Sequence, residues 1–373
     1  MAPGAQHVLQ SGLASGMSAA SGANYAKKPN KVDPSFDGLA QVLPQSFVPN
    51  SRSRLTLKGA KGDVQAPYIS IGAWPWGDTA TFHWKPEERP AVTEAWKELT
   101  AAGLNWIDTA QAYGTDGESE RICGELFEGM NREDFVIQTK WFVVPNVTNV
   151  LSPTHAPTKM LKASLERMKL DYVDIYLVHG HIHASSIAQV AKGLSECVEQ
   201  RLTKAVGVAN YNEADMIHMA DELAKYNIPL ATNQCEYSVL RRHAETHGLI
   251  KACRDRGIVF QSYSSLAQGR LSGKYNSEHE PPASYRFSSY PMKEVEPTLD
   301  VLRDIAQKQR VSVAAVALNY NISKGVVPVV GVRKPEQVKQ NKEALGWRLT
   351  AEDIRRIDDV SFEGQATSLW QQG

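Results

Sequence analysis

A chain of 373 residues, 42% hydrophobic and 22% charged, is long enough for one large domain or two ordinary ones and has the balance of a globular protein with a sizeable core. Its 41 basic and 41 acidic residues cancel, which leaves no electrostatic footprint for nucleic acid or an acidic membrane, and no apolar run reaches the length of a membrane span. The four cysteines, Cys123, Cys197, Cys235 and Cys253, form no C-x-x-C pair and read as scattered core residues of a reduced, intracellular protein, not as a disulfide framework or a zinc ribbon.

The first 32 residues contain no Asp or Glu and are rich in Ala, Gly and Ser, with Lys27, Lys28 and Lys31 near their end. We read residues 1–62 as an N-terminal extension, partly disordered, on a cytoplasmic protein; an organelle transit segment is the alternative, although arginine is absent until Arg52. From residue 63 onward short apolar runs alternate with longer amphipathic ones. Eight strand-like runs occupy 68–74, 105–110, 135–141, 174–180, 205–210, 231–237, 258–264 and 326–332. Helix-like segments follow them at 90–103, 118–129, 157–170, 186–200, 213–226, 244–257, 295–310 and 335–346, with Asn212 as a candidate N-cap and Pro335 opening the last. One more helix is expected over 349–362, N-capped by Thr350. Eight alternating units imply an α/β fold of the (β/α)₈ TIM-barrel type over 63–373, with long substrate loops and a C-terminal helix. The competing doubly wound sheet would need a glycine-rich phosphate turn after the first strand, and "IGAWPWGD" is a poor one.

In such a barrel the C-terminal strand ends face the active site. Trp74 and Trp76 fall at the first of these ends, Asp108 with the nearby Tyr113 at the second, Lys140 and Trp141 at the third, His179 at the fourth, Asn210 at the fifth, Gln234 at the sixth and Tyr263 at the seventh. Asp108, Tyr113, Lys140 and His179 form a coherent set. A phenol titrates near ~10, a neighbouring cation would lower that value, and a carboxylate would hold the cation in place. His179 would orient a carbonyl oxygen and share in proton transfer. These groups polarise a carbonyl and deliver a proton but supply no hydride, so a cofactor must.

The same stretches resemble the aldo-keto reductase superfamily. "GLNWIDTAQAYG" carries the Asp and Tyr, "LKASLERMKLDYVDIYLVH" ends in the histidine, and "GVANYN", "NQCEYS", "SYSSLAQGRLSGKY" and "VVPVVGVRKPEQVKQN" follow in the order that family shows, over about residues 68–358. The resemblance implies that Tyr113 is the general acid, tuned by Lys140 and Asp108 and aided by His179. It implies that Asn210 and Gln234 bond a nicotinamide carboxamide, that Tyr263 stacks on the ring, and that Ser264, Leu266, Gln268 and Gly269 line a pyrophosphate. Arg333, Gln337 and Asn341 would hold the adenosine end, and Arg333 with Lys334 would meet a 2′-phosphate, favouring NADPH/NADP+. Two departures stand out: Ala209 where serine is common, and Ser265 where proline is frequent.

Bland readings compete at each position. Asp108–Lys140 alone could be a structural ion pair, and Asn210 and Gln234 could merely satisfy backbone groups. Arg333–Lys334 could be a solvated helix start. Trp74, Trp76 and Trp141 are read as substrate-pocket walls, with core aromatics as the alternative. His179, His181 and His183 alternate, yet only the first lies on a strand, so no metal site is expected. The expectation is an NADP-dependent oxidoreductase that reduces an aldehyde or ketone to an alcohol, its partner a small carbonyl compound. Two alternatives on the same barrel are an NADP-binding regulatory or scaffold subunit and a non-redox dehydratase or isomerase.

Overall fold

The computed structural model describes residues 30–367 apart from 34, 37, 39–42, 44–46, 144–148, 150, 151, 153, 184 and 286. Residues 1–29 of the expected N-terminal extension therefore lie outside the described residues. Two short strands come first, β1 (Leu55–Leu57) and β2 (Val64–Ala66), paired as an antiparallel hairpin. Eight more follow: β3 (Ser70–Gly72), β4 (Trp106–Asp108), β5 (Val136–Trp141), β6 (Val173–Val178), β7 (Thr203–Ala209), β8 (Leu230–Glu236), β9 (Val259–Tyr263) and β10 (Val327–Gly331). These eight close into a parallel barrel in the order β10-β3-β4-β5-β6-β7-β8-β9. Every expected strand run overlaps one of them, three of the strands starting one or two residues earlier than expected, and the closed order rules out an open doubly wound sheet.

Helices pack outside the barrel: α1 (Arg89–Ala101), α2 (Glu118–Leu126), α3 (Ala156–Met168), α4 (Ile187–Glu199), α5 (Glu213–Ala224), α6 (His243–Thr246), α7 (Leu249–Asp255), α8 (Met292–Gln309), α9 (Val313–Ser323), α10 (Pro335–Lys342) and α11 (Ala351–Asp359). Asn212 caps α5 by accepting the Asp215 N–H at 2.9 Å, and Thr350 caps α11 through the Asp353 N–H at 3.0 Å. The single helix expected over 244–257 is two, α6 and α7, because Gly248 adopts φ +82° between them. The sequence reading missed α9 altogether. All of its residues from Ala314 to Ser323 are buried, so it has no polar face to produce an amphipathic period.

The hairpin crosses the boundary expected at 62/63. Leu57, Val64 and Ala66 pack under the barrel against Trp106, Val136, Ile175, Ala205, Ala231 and Val327, which closes the end opposite the catalytic loops. Asn30 and Lys31 lie against the C-terminal segment: the Asn30 amide donates to the Gly364 carbonyl at 3.0 Å, and the Lys31 ammonium sits 3.8 Å from the centre of the Phe362 ring. Among the described residues no helix is long and apolar enough to cross a membrane. All four cysteines are buried and unpaired.

Gly207, on β7, marks how tightly the barrel interior is filled. A Cβ there would lie 2.5 Å from Leu177 Cδ2 and 2.7 Å from the Thr232 carbonyl oxygen. The backbone atom cannot swing aside, so Gly207→Ala is expected to destabilise the fold by about 1–3 kcal/mol, read as a lower urea midpoint.

Candidate active site

Strand alternation decides what enters the barrel mouth. On β5, Gln138 and Lys140 point inward while Ile137, Thr139 and Trp141 point toward the helices. Lys140 is fully buried, and its ammonium donates to Asp108 at 2.7 Å, to the Thr109 carbonyl at 2.9 Å and to the Tyr113 hydroxyl at 3.1 Å. The Tyr113 ring meets His179 edge-on with centroids 5.5 Å apart. Four residues from three strand ends and one loop thus meet in one place.

Asp108 accepts more than Lys140. Its other oxygen takes N–H donors from Gln138 and, at 3.2 Å, from Gln234. Gln261 accepts from both of those amides at 3.0 Å and donates to Thr232 at 2.9 Å. A ring of amides inside the barrel therefore supports the carboxylate from below, and the sequence reading missed it. The signal was available: Gln138, Thr232 and Gln261 share inward parity with Lys140, Gln234 and Tyr263.

The electrostatics differ from the expected phenol lowered by a cation. Burial, and then the Asp108 charge, push the Tyr113 hydroxyl well above 10. Burial lowers Lys140, opposed by Asp108. Burial, and then Lys140, hold His179 well below 6.5, so its imidazole is neutral at physiological pH. The centre offers a protonated phenol and a neutral imidazole.

Around this centre the expected residues divide. Trp74 stacks on Tyr113 at 6.0 Å and meets Phe82 and Phe287 edge-on, and Phe287 in turn meets Tyr263 at 5.4 Å. These rings make an apolar wall, of which only Trp74 and Tyr263 were expected. Trp76 and Trp141 are not in it. Trp76 is 1% exposed, with its indole N–H bound to the Val332 carbonyl at 2.7 Å. Trp141 faces the helices and donates to Asn149 at 3.2 Å. Both are core residues, which corrects their reading as pocket walls.

Asn210, at φ +62°, donates to the His179 carbonyl at 3.3 Å and accepts the Tyr263 hydroxyl at 2.9 Å. It locks the ends of β6, β7 and β9 together. Gln234 directs both amide hydrogens inward, to Asp108 and Gln261. After β9 the chain turns tightly, with positive φ at Ser264, Ala267, Gln268 and Gly269 around Leu266. Where a proline was expected, the Ser265 hydroxyl ties this turn to the Ser262 carbonyl at 2.7 Å and to the Val329 carbonyl at 3.3 Å.

Beyond β10, Gln337 accepts the Arg333 and Lys334 backbone N–H groups at 2.7 and 3.2 Å. Arg333 is not a waiting cation. Its Nε donates to Glu88 at 2.7 Å, a second guanidinium nitrogen meets the other Glu88 oxygen, and the third donates to the Phe82 carbonyl at 3.0 Å. Gln268 Nε2 and Asn341 Nδ2, by contrast, are buried amide donors with no partner among the described residues. Such donors cost free energy unless something binds them, which fits a ligand lying along this side.

The alternating histidines do not converge. His183 bonds the Ser185 carbonyl and, at 3.0 Å, the Tyr211 hydroxyl. Among the described residues, the group that does bring donor atoms within 4.8 Å of one another is His243, His247 and Glu363. There the two imidazoles stack face to face at 3.8 Å, so their in-plane lone pairs run side by side.

A parallel eight-strand barrel with a buried Asp–Lys pair under a tyrosine and a histidine defines a class, and the comparisons name it. The sequence matches the aldo/keto reductase family over residues 68–361, and the chain belongs to that family. It is 30% identical over 325 residues to the chloroplastic pyridoxal reductase of Arabidopsis thaliana, covering 83% of this chain and 87% of that protein. It is 28% identical to the NADH-specific methylglyoxal reductase of Escherichia coli K12, covering 80% and 96%. Among solved structures, the glycerol dehydrogenase of Gluconobacter oxydans shares the fold with a TM-score of 0.71 at 24% identity, over 84% of this chain and 98% of that one.

Because Lys140 is the second cause of the lowered His179 value, Lys140→Met should raise the His179 pKa toward, but not to, 6.5. An NMR titration of the ring checks this. An unchanged value would mean that Lys140 has no electrostatic hold on His179.

Proposed function

We propose that this chain reduces an aldehyde or ketone to an alcohol with NADPH, with Tyr113 as the proton donor. The observation that carries the reading is the Tyr113 hydroxyl held 3.1 Å from a Lys140 ammonium that is itself fixed on Asp108. When bound, the reduced nicotinamide supplies the hydride to the carbonyl carbon. The chain's residues do the rest. Tyr113 donates its proton to the carbonyl oxygen as the C=O bond becomes C–OH. The phenolate left behind is neutralised by the adjacent ammonium. A neutral His179 donates a hydrogen bond that orients the same oxygen without placing a second cation beside Lys140.

Asn210 and Tyr263 would frame the nicotinamide, while Gln234 would offer its oxygen, both of its hydrogens being used. The turn at Ser264, Leu266, Gln268 and Gly269 would follow the pyrophosphate. The unpartnered Asn341 amide, with Arg333 and Gln337, would take the adenosine end. The Trp74–Phe287 wall suits a flat aldehyde, and the 30% identity to a pyridoxal reductase makes pyridoxal the first substrate to assay, followed by aromatic aldehydes and α-dicarbonyls.

Tyr113→Phe should lower kcat by about 10²–10⁴-fold while leaving NADPH binding intact, measured by NADPH oxidation and by fluorescence titration. Full turnover would remove Tyr113 from its role. The pH profile gives an independent check. With Tyr113 raised above 10 and His179 lowered below 6.5, both groups keep the protonation state needed for reduction through that interval. kcat for carbonyl reduction should therefore show no break near pH 7, and such a break would contradict the assigned state of His179.

A further inference from the structure

We propose that Glu88 is a cofactor-specificity residue, which competes with the 2′-phosphate for Arg333 and so narrows the preference for NADPH over NADH. The inference rests on the reading that Arg333 lies at the adenosine end of the site.

Each of the three guanidinium nitrogens has a partner. Nε and one terminal nitrogen grip the two Glu88 oxygens, and the other terminal nitrogen holds the Phe82 carbonyl at 3.0 Å. A planar guanidinium presents the same two-pronged face to a carboxylate or a phosphate, so the two anions are alternatives for one donor set. Both partners are only 23% exposed, which screens the pair less than a fully solvated one.

Glu88 is built into place. It ends a turn, Pro86–Glu88, in which its N–H donates to the Lys85 carbonyl at 3.0 Å and its Oε1 accepts the Lys85 N–H at 3.2 Å. Its carboxylate therefore does not drift away when Arg333 is offered another anion. The segment behind it is also anchored, since the Ser284 hydroxyl donates to the Thr81 carbonyl at 2.8 Å.

The two nucleotides meet this pair differently. A 2′-phosphate must displace the Glu88 carboxylate from Arg333 and then sit beside it, a like-charge contact. A 2′-hydroxyl is a donor and can bond a carboxylate without disturbing the ion pair, the arrangement by which acidic residues hold the ribose of NAD in dinucleotide sites. Glu88 thus disfavours NADPH and tolerates NADH, while Arg333 favours NADPH. The chain's discrimination is their difference.

The test is direct binding of NADPH and of NADH to the full chain, by fluorescence or calorimetry, for wild type, Glu88→Gln and Arg333→Met. The glutamine keeps the acceptor for the Lys85 N–H and removes only the charge. Glu88→Gln should tighten NADPH by about fivefold, the upper range for a partly exposed ion pair, and leave NADH within about twofold. Arg333→Met should weaken NADPH and spare NADH. If Glu88→Gln leaves the ratio of the two dissociation constants unchanged while Arg333→Met shifts it, Glu88 is a bystander and the inference falls. If Arg333→Met shifts neither constant, the assignment of the adenosine end fails first. Circular-dichroism melting of each variant separates misfolding from lost affinity, and Glu88→Asp, which retains the charge, should stay closer to wild type than Glu88→Gln.

Discussion

The centre of this protein depends on one buried ion pair. Asp108 and Lys140 are 2% and 0% exposed and 2.7 Å apart. Such a pair is costly to desolvate and holds only when every remaining lone pair and proton finds a partner. The surrounding chain meets that condition. Gln138 and Gln234 satisfy the second carboxylate oxygen, Gln261 and Thr232 satisfy the glutamines, and the Thr109 carbonyl and Tyr113 hydroxyl complete the ammonium. The polar layer inside the barrel is the means by which a charge is held at its axis.

The same burial fixes the neighbours' protonation. A phenol close to a carboxylate and away from water stays neutral, and an imidazole near an ammonium stays neutral too. Lys140 was expected to lower the phenol, as a nearby cation does in isolation. Here burial and the Asp108 charge prevail, because desolvation penalises the phenolate and the cation's partner repels it. The outcome is a phenol that keeps its proton at neutral pH but is a weaker acid than one lowered by a cation would be.

The fold and the tetrad could be read from the sequence because both follow from local pattern. Eight strand runs alternate with amphipathic stretches, and the chemistry sits where strands end. What was not read has physical causes. Trp141 was placed in the pocket although Lys140 precedes it on the same strand; strict alternation sends adjacent residues to opposite faces, so an inward lysine requires an outward tryptophan. Trp76 lies in a loop, where no period says which way a side chain turns. The fully buried α9 lacks the polar face that marks a surface helix, and the Leu55–Ala66 hairpin is too short to show a pattern of its own. The Arg333–Glu88 pair joins residues 245 positions apart, a distance at which sequence spacing carries no information.

The buried-charge logic recurs away from the catalytic mouth. Glu245 accepts from Arg242 at 2.8 Å and from Lys324 at 3.0 Å, and Lys324 also reaches Asp358 at 3.0 Å, which joins α6, the end of α9 and the C-terminal helix α11. Burial raises Arg242's cost of ionisation, yet its anionic partners hold it charged, and the cluster leaves little slack in the elements it joins. Both ion networks are built from residues in, or at the ends of, strands and helices, with Tyr113 the loop residue among them. The loops that carry Trp74, Phe82, Phe287 and Glu88 hang from this frame and are not needed to hold it. The frame holds the buried charges, and loops of this kind vary more freely than the elements that carry them.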